Sequence, residues 1–306
     1  MQNPKLNSFA LTSGLALTVS AMFALNSLAQ GVSSQPLTLA ANDAVASGGG
    51  GAAADDAQNQ EAELAKKLQN PVAALISVPI QNNWDFGIGP AHAMKYTANI
   101  QPVVPISISQ DWNLILRTIL PVIYQEALVN NTNAPSSVRQ SHAGLGDTTQ
   151  SFFFSPKNPV GGWILGIGPV GYYPTATEEA LGSGKWGAGP TFVALQQKHG
   201  FTYGMLANHI WSFAGQQDRT EVNATYLQPF VSFTTKTYTT FAINTETTYN
   251  WQTHESTAPM NFMVQQLLKI GKQPIAFQVG YRYYVEKPDG GPDWGLRFAI
   301  TFLFPK

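Results

Sequence analysis

The histidines are the residues of this chain whose type is best suited to acid–base or metal chemistry. They are His92, His142, His199, His209 and His254. No serine or acidic residue accompanies them at a spacing typical of a catalytic triad, and no HExxH motif occurs. The glycine-rich run 187–189 is not followed by a helical pattern, as a phosphate-binding loop would be. The sequence therefore assigns no catalytic residue, no metal site and no cofactor.

Four charged residues are stronger candidates for a functional role. When residues are counted in steps of two along each predicted strand, these four lie on the same face as the small polar residues around them. They are Arg117, Glu246, Arg282 and Arg297. Amide side chains share this polar face: they are Asn113, Asn208, Asn244 and Gln278. Fixed charges inside a narrow polar conduit determine its ion preference. A structural network, in which Glu246 pairs with an arginine and fills the interior, is an equally good interpretation.

The composition limits the partners that the chain can bind. Its 306 residues carry 17 basic and 18 acidic side chains, so the net charge is 17 − 18 = −1. This balance excludes a basic protein that binds nucleic acid. The absence of cysteine excludes disulfides, thiolate zinc sites and a cysteine nucleophile. Charged residues make up only 11% of the chain, and uncharged polar residues and glycine take their place.

The first 71 residues divide into three predicted segments. Residues 1–29 have a positive start at Lys5, an apolar stretch and small residues before a cleavage site after Ala29, as in a signal peptide. Residues 30–58 are rich in Ala, Gly, Ser and Gln and predict a flexible linker. Residues 59–71 predict a short amphipathic helix that either lies on a membrane surface, plugs a pore or is a solvated linker.

Residues 72–306 alternate apolar and polar side chains with the period of a β-strand. The last segment is the clearest, because Leu296, Phe298 and Ile300 alternate with small or polar residues and Arg297. About twelve such segments occur, each near the ~9–11 residues of a tilted membrane strand. They begin near residues 75, 94, 112, 146, 163, 186, 201, 223, 237, 258, 273 and 294. The fourth and sixth alternate poorly, so their registers are open.

The connections between these segments predict an all-β, closed antiparallel up-and-down transmembrane β-barrel. Short turns and long polar loops alternate, as periplasmic turns and extracellular loops do in outer-membrane barrels. Tryptophans fall near segment ends, where an aromatic belt meets the membrane interface: they are Trp84, Trp112, Trp163, Trp211, Trp251 and Trp294. A soluble β-sandwich also alternates, but its polar face is usually charged, whereas this one is mostly Asn, Gln, Thr, Ser and Gly.

The barrel region resembles a bacterial family of outer-membrane transporters grouped with the "MetA-pathway of phenol degradation" proteins. The segments that carry the resemblance are residues 68–90, 144–156, 185–195, 208–215, 266–274 and 287–306. The last of them also resembles the C-terminal signal of outer-membrane barrels, although Pro305 and Lys306 follow the final Phe304. The resemblance implies an outer-membrane barrel linked to transport, and the family label names no substrate.

These observations predict a channel or transporter that passes small molecules through a narrow polar lumen in the bacterial outer membrane. The expected partners are the lipid bilayer, lipopolysaccharide, the outer-membrane barrel-assembly machinery and a small-molecule solute, with no nucleic acid. Two alternatives remain open at this stage. One is an outer-membrane hydrolase that uses His209, or His92 with Asp85. The other is a structural or adhesive barrel whose loop 126–145 binds a partner.

Overall fold

The computed structural model describes residues 50–129 and 136–305. The predicted signal peptide and most of the predicted linker lie outside this range. The helices are α1 (Gly50–Leu68) and α2 (Ser136–Arg139), with a 3₁₀ turn at Glu179–Leu181. The strands are β1 (Ile76–Ile88), β2 (Ala93–Ile100), β3 (Val103–Ser107), β4 (Trp112–Gln125), β5 (His142–Leu145), β6 (Thr148–Pro156), β7 (Ile164–Tyr173), β8 (Lys185–Lys198), β9 (Phe201–Gly215), β10 (Asn223–Thr234), β11 (Thr239–Thr245), β12 (Thr247–Asn250), β13 (Glu255–Ile270), β14 (Gln273–Glu286) and β15 (Trp294–Phe304).

Fifteen strand segments form a closed barrel of twelve strands, because three strands are interrupted and 15 − 3 = 12. The interruptions lie between β2 and β3, between β5 and β6, and at Glu246 between β11 and β12. Each strand pairs antiparallel with the next along the chain. The barrel closes where β1 pairs with β15, from Ile76 opposite Phe304 to Phe86 opposite Trp294. The predicted fold is confirmed, and closure leaves no open sheet edge.

Alternation along the strands separates an apolar outer face from the interior. In β15 the side chains of Arg297 and Thr301 are buried, whereas Trp294 and Phe304 at its two ends are exposed. The exposed face carries large apolar side chains in other strands, which include Ile106, Phe154, Ile167, Phe213, Phe241, Phe262 and Val285. An apolar outer face is the reverse of a soluble barrel's surface, and it is typical of a barrel surrounded by lipid.

The two ends of the barrel differ in the length of their connections. At one end, here called the turn end, strands are joined by residues 108–111, 157–163, 199–200, 235–238 and 271–272. At the other, the loop end, the connections are residues 89–92, 126–141, 174–184, 216–222, 251–254 and 287–293. Trp112 and Trp163 lie at the turn end, and the other predicted belt tryptophans lie in the loop-end half. Trp186, absent from the predicted belt, joins the loop-end group and packs edge-on against Tyr173.

Helix α1 is longer than the pattern of charged and apolar residues predicts. It begins at Gly50, nine residues before the expected start at residue 59. The extra residues include three consecutive alanines, and alanine has the highest helix propensity. The helix ends at Leu68 before Pro71, and the Asn70 side chain accepts a hydrogen bond from the Val72 backbone at 3.0 Å. No helix among residues 50–129 and 136–305 is long and apolar enough to span a bilayer.

Candidate functional site

A belt of charged side chains crosses the barrel interior, and Glu246 lies at its centre. Glu246 occupies the interruption between β11 and β12, where its backbone N–H bonds to the Pro259 carbonyl. Its carboxylate accepts two hydrogen bonds from Arg297, both at 2.8 Å, one to each oxygen. Arg297 is only 3% exposed. A bidentate arginine–carboxylate pair of this kind combines strong charge-assisted hydrogen bonds with a fixed orientation.

Arg282 joins the belt from the neighbouring strand β14. Its guanidinium lies 3.4 Å from Glu246 and 3.1 Å from Asp85. The Asn83 side-chain oxygen accepts hydrogen bonds from both arginines, at 2.9 Å from Arg282 and 2.7 Å from Arg297. These five side chains, Asn83, Asp85, Glu246, Arg282 and Arg297, are called the interior belt below. Because each charge has a partner of opposite sign, the cost of burying it is offset.

Glycines make room for the two belt arginines on the neighbouring strands. Gly280 is the residue opposite Arg297, and Gly295 is opposite Arg282. A Cβ atom on Gly295 would lie 2.5 Å from an Asp85 carboxylate oxygen and 2.6 Å from the Trp84 carbonyl oxygen. The missing side chains therefore allow the guanidinium groups to pack along the wall and reach Glu246.

Arg117 projects into the interior from β4, and its environment differs from that of the belt arginines. It donates a hydrogen bond to the Gln101 side chain at 2.9 Å. Among the described residues, no carboxylate oxygen lies within ion-pairing distance of Arg117. Arg117 also lines two interior cavities. Gln101 lies in the interruption between β2 and β3, so a break in the strand again supplies an interior polar group.

Two cavities meet in the middle of the barrel. The loop-end chamber has a volume of 440 Å³ and reaches Tyr172, Asn208 and Val222. The turn-end chamber has a volume of 220 Å³ and reaches Leu68 and Pro71, just after helix α1. Both are lined by the same five polar side chains, which are Gln81, Gln101, Arg117, Gln228 and Glu246. These five side chains are shared by both chambers, and the region that they line is called the constriction below.

The interior has an excess of positive charge around the constriction. The charged side chains of this region are four cations, Lys95, Arg117, Arg282 and Arg297, and three carboxylates, Asp85, Asp147 and Glu246, so the local balance is 4 − 3 = +1. Asp147 belongs to this count because it accepts a hydrogen bond from Tyr172, which lines the loop-end chamber. Lys95 stands opposite Asp85 on the paired strand. The low dielectric of the surrounding wall concentrates the field of such charges in the cavity.

Apolar side chains fill the interior toward the turn end, where the sequence predicts a polar lumen. Ile115, Phe153, Leu195 and Leu206 point inward and are almost completely buried. Val72, in the segment that follows helix α1, packs among them and is 4% exposed. Strand alternation places these residues correctly inside, but only the structure shows that an inserted apolar residue covers them.

A second apolar cluster fixes the end of helix α1 and the following segment at the turn end. Ala65, Ala73 and Leu75 pack against inward-facing residues near the turns, which are Leu267, Ala276 and Leu303. The Gln197 side chain also donates a hydrogen bond to the Lys66 carbonyl at 2.8 Å. Residues 64–75, here called the plug segment, therefore lie against the inner wall at the turn end, and Leu68 and Pro71 line the turn-end chamber.

The predicted amide residues occupy separate positions rather than one cluster. Asn208 lines the loop-end chamber. Asn244 accepts a 2.7 Å hydrogen bond from Asn261, and Gln278 donates a 3.4 Å bond to Gln265. Asn113 is half-buried near the start of β4. The belt also includes Asn83 and Asp85, which the sequence analysis did not assign to the charged site.

The candidate hydrolase residues do not form a catalytic arrangement. His209 Nδ1 lies 2.7 Å from the Thr225 hydroxyl, which also accepts a 2.9 Å hydrogen bond from Trp251. Among the described residues, no carboxylate contacts His209. The centroid of its ring lies 4.0 Å from that of the Trp211 ring. Asp85 contacts Arg282 in the belt instead of His92. A histidine among tryptophans on the outer face fits the membrane-interface interpretation.

The geometry defines a closed β-barrel with a charged constriction and an apolar plug at one end. Its fold is similar to that of the outer membrane channel from Pseudomonas putida F1, with a TM-score of 0.58, 13% identity and coverage of 76% of this chain and 96% of the channel. The NanC porin gives a TM-score of 0.45 and 12% identity over 75% of this chain and 100% of the porin.

At these identities the likeness to the Pseudomonas channel concerns the fold. No protein-family model matches the chain, and no curated protein matches it. The transporter family that the sequence resembles therefore remains a prediction.

Proposed function

We propose that this protein is an outer-membrane channel that passes small solutes and prefers anions. The observation that carries the proposal is the pair of interior chambers joined at the constriction, inside a barrel whose outer face is apolar. An apolar outer face needs lipid around it, and a closed barrel satisfies every strand's hydrogen bonds there. Hydrolysis lacks a comparable arrangement within residues 50–129 and 136–305, where His209 lies against Thr225 and Trp211 and no carboxylate contacts it.

The orientation in the membrane follows from the connections. We place the turn end in the periplasm and the loop end outside the cell, as barrels of this class have short periplasmic turns. This orientation agrees with the predicted signal peptide, which ends after Ala29. The aromatic residues at both ends would then lie at the two membrane interfaces. Lipopolysaccharide would surround the loop-end half, and the assembly machinery would recognise the strand that ends at Phe304.

The size and charge of the interior define the solutes. The smaller chamber has a volume of about 220 Å³, which favours a narrow conduit over a wide, nonselective pore. The local balance of +1 favours anions at the constriction. Arg117 and Glu246 both line it, so a passing solute meets one cationic and one anionic wall.

The plug segment makes this conformation a closed one. Val72 is buried inside the barrel, and the end of helix α1 lies against the turns, so transport requires this segment to move. Its seat is mainly apolar and holds few hydrogen bonds, which include the one from Gln197. Each buried side chain of the segment contributes ~1–3 kcal/mol to this packing, so a polar substitution at one of them should shift the segment toward release.

Planar-bilayer recording tests this function. The refolded protein lacking residues 1–29 is measured under a KCl gradient and compared with Val72→Asn, which places a polar group in the apolar seat. We expect rare openings for the parent protein, more frequent openings for Val72→Asn, and a reversal potential that indicates chloride preference in both. Glu63→Gln, on the exposed face of α1, is the matched control. Silence of both the parent and Val72→Asn would refute the channel, and cation preference would refute the charge argument.

A further inference from the structure

Arg117 is the interior arginine that has no carboxylate partner among the described residues. A guanidinium has five N–H donors in a planar fork. Arg297 uses its donors on Glu246 and Asn83, and Arg282 reaches Asp85, Glu246, Asn83 and Tyr284. Arg117 has a single partner among the described side chains, Gln101, which is uncharged. An interior guanidinium without a carboxylate is a site for an anion that the protein does not itself provide.

The chamber above Arg117 has both polar and apolar walls. The polar side of the chamber is lined by Arg117 together with Gln101, Thr149, Ser151 and Tyr226. Ile119, Ile210 and Val222 line the same space. Its volume of 440 Å³ falls in the range of ~300–1,000 Å³ found for small-molecule sites. A chloride ion would use the guanidinium but leave the apolar wall in contact with water.

We propose that the loop-end chamber is a binding site for a small organic monocarboxylate, held by its carboxylate on Arg117 and by its apolar part on Ile119, Ile210 and Val222. The proposal rests on the proposed function, because it names the solute class of the channel. A carboxylate matches the planar fork of Arg117 in a bidentate pair. Glu246 lines the same chamber and would repel a second negative group, which favours a monoanion over a dianion.

Direct binding to the full chain in detergent tests the site without requiring conductance. Isothermal titration calorimetry compares hexanoate with hexanamide, which has the same shape but no charge, and with acetate, which lacks the apolar chain. We expect one hexanoate bound per barrel, with affinity at least tenfold higher than that of hexanamide or acetate. Arg117→Gln should reduce the hexanoate affinity at least tenfold, and Arg117→Lys should restore only part of it because lysine has no planar fork.

Arg139→Gln is the matched control, because it removes an exposed arginine from α2 at the loop end and should leave hexanoate binding unchanged. Thermal unfolding of each variant, followed by circular dichroism, verifies that the barrel is folded. Equal binding of hexanoate to the parent protein and to folded Arg117→Gln would overturn the site, as would equal binding of hexanoate and hexanamide.

The same samples separate this site from the channel function. Conductance without hexanoate binding would support the channel function and refute the binding site. Hexanoate binding that requires Arg117, in a protein that never conducts, would support the site and refute the channel. When both hold, hexanoate added to the bilayer should reduce the chloride current of the parent protein and have a much weaker effect on Arg117→Gln.

Discussion

Arg297 and Glu246 form a bidentate ion pair inside the barrel, although they are 51 positions apart and on strands that are not neighbours. The pair connects β15 to the interruption between β11 and β12 and passes in front of β13 and β14. A hydrogen-bonded sheet fixes only adjacent strands relative to one another. The Arg297–Glu246 pair therefore acts as an internal strut that fixes the cross-section of the barrel where the constriction lies.

Removing the carboxylate should destabilise the barrel. Glu246→Gln leaves Arg297, which is 3% exposed, without an anionic partner, and we expect it to lower the free energy of unfolding by about 3 kcal/mol. Urea unfolding of the detergent-folded protein measures the change. Glu63→Gln, on the exposed face of α1, should have an effect near zero. An unchanged unfolding midpoint for Glu246→Gln would show that the pair does not contribute to stability.

The glycines opposite the belt arginines should differ in their tolerance of alanine. A Cβ on Gly295 would lie 2.6 Å from the rigid Trp84 carbonyl, whereas a Cβ on Gly280 would meet the Met263 side chain at 2.9 Å. We expect Gly295→Ala to lower the free energy of unfolding by ~1–3 kcal/mol, and Gly280→Ala to have a smaller effect because methionine can adopt another rotamer. The reverse order would contradict this account.

The plug segment should close the channel when it is covalently fixed to the barrel. The parent protein has no cysteine, so Lys66→Cys with Gln197→Cys supplies a unique pair of thiols where the Gln197 side chain contacts the Lys66 backbone. Treatment with a short bismaleimide should abolish the openings seen in bilayers. Each single-cysteine variant, treated identically, should conduct as the parent does. Undiminished conductance after complete cross-linking would show that the plug segment does not gate the channel.

The loop end should lose stability on acidification through Glu221. Hydrogen bonds from Lys185 and Ser212 lower the pKa of the Glu221 carboxyl below its ordinary value of 4.5. A carboxyl whose pKa is lowered in the folded protein stabilises it above the ordinary pKa, and this contribution is lost as the pH falls through the lowered value. Lys185, whose side chain is 4% exposed, then loses its partner.

Melting temperatures recorded by circular dichroism between pH 7 and pH 3 measure this dependence. The parent protein should become less stable from about pH 4.5 downward, and Glu221→Gln should show a smaller fall because its side chain cannot titrate. At pH 7 the variant should melt below the parent. Identical pH profiles for the two proteins would contradict the role of Glu221.

Residue alternation and loop lengths were enough to predict the barrel, its strand order and the direction of nearly every strand side chain. Alternation with period two is a local property, and the structure has strands beginning at Trp112, Phe201, Gln273 and Trp294, where the pattern predicts them. The two segments that alternate poorly have physical explanations. One contains the interruption at Gly146 and Asp147, and in the other Gly187 and Gly189 remove side chains from the interior face.

Which interior side chains contact one another depends on the tertiary structure and could not be predicted from alternation. Alternation along the strands places both Arg117 and Arg297 on the interior face. Barrel curvature and strand stagger then pair Arg297 with Glu246, whereas Arg117 faces the chamber. The position of Val72 inside the barrel is likewise invisible in the sequence, because a short apolar segment has no periodicity that identifies its partner. Contacts between strands that are distant in the chain depend on how the barrel closes, and that closure determined the belt, the plug segment and the candidate site.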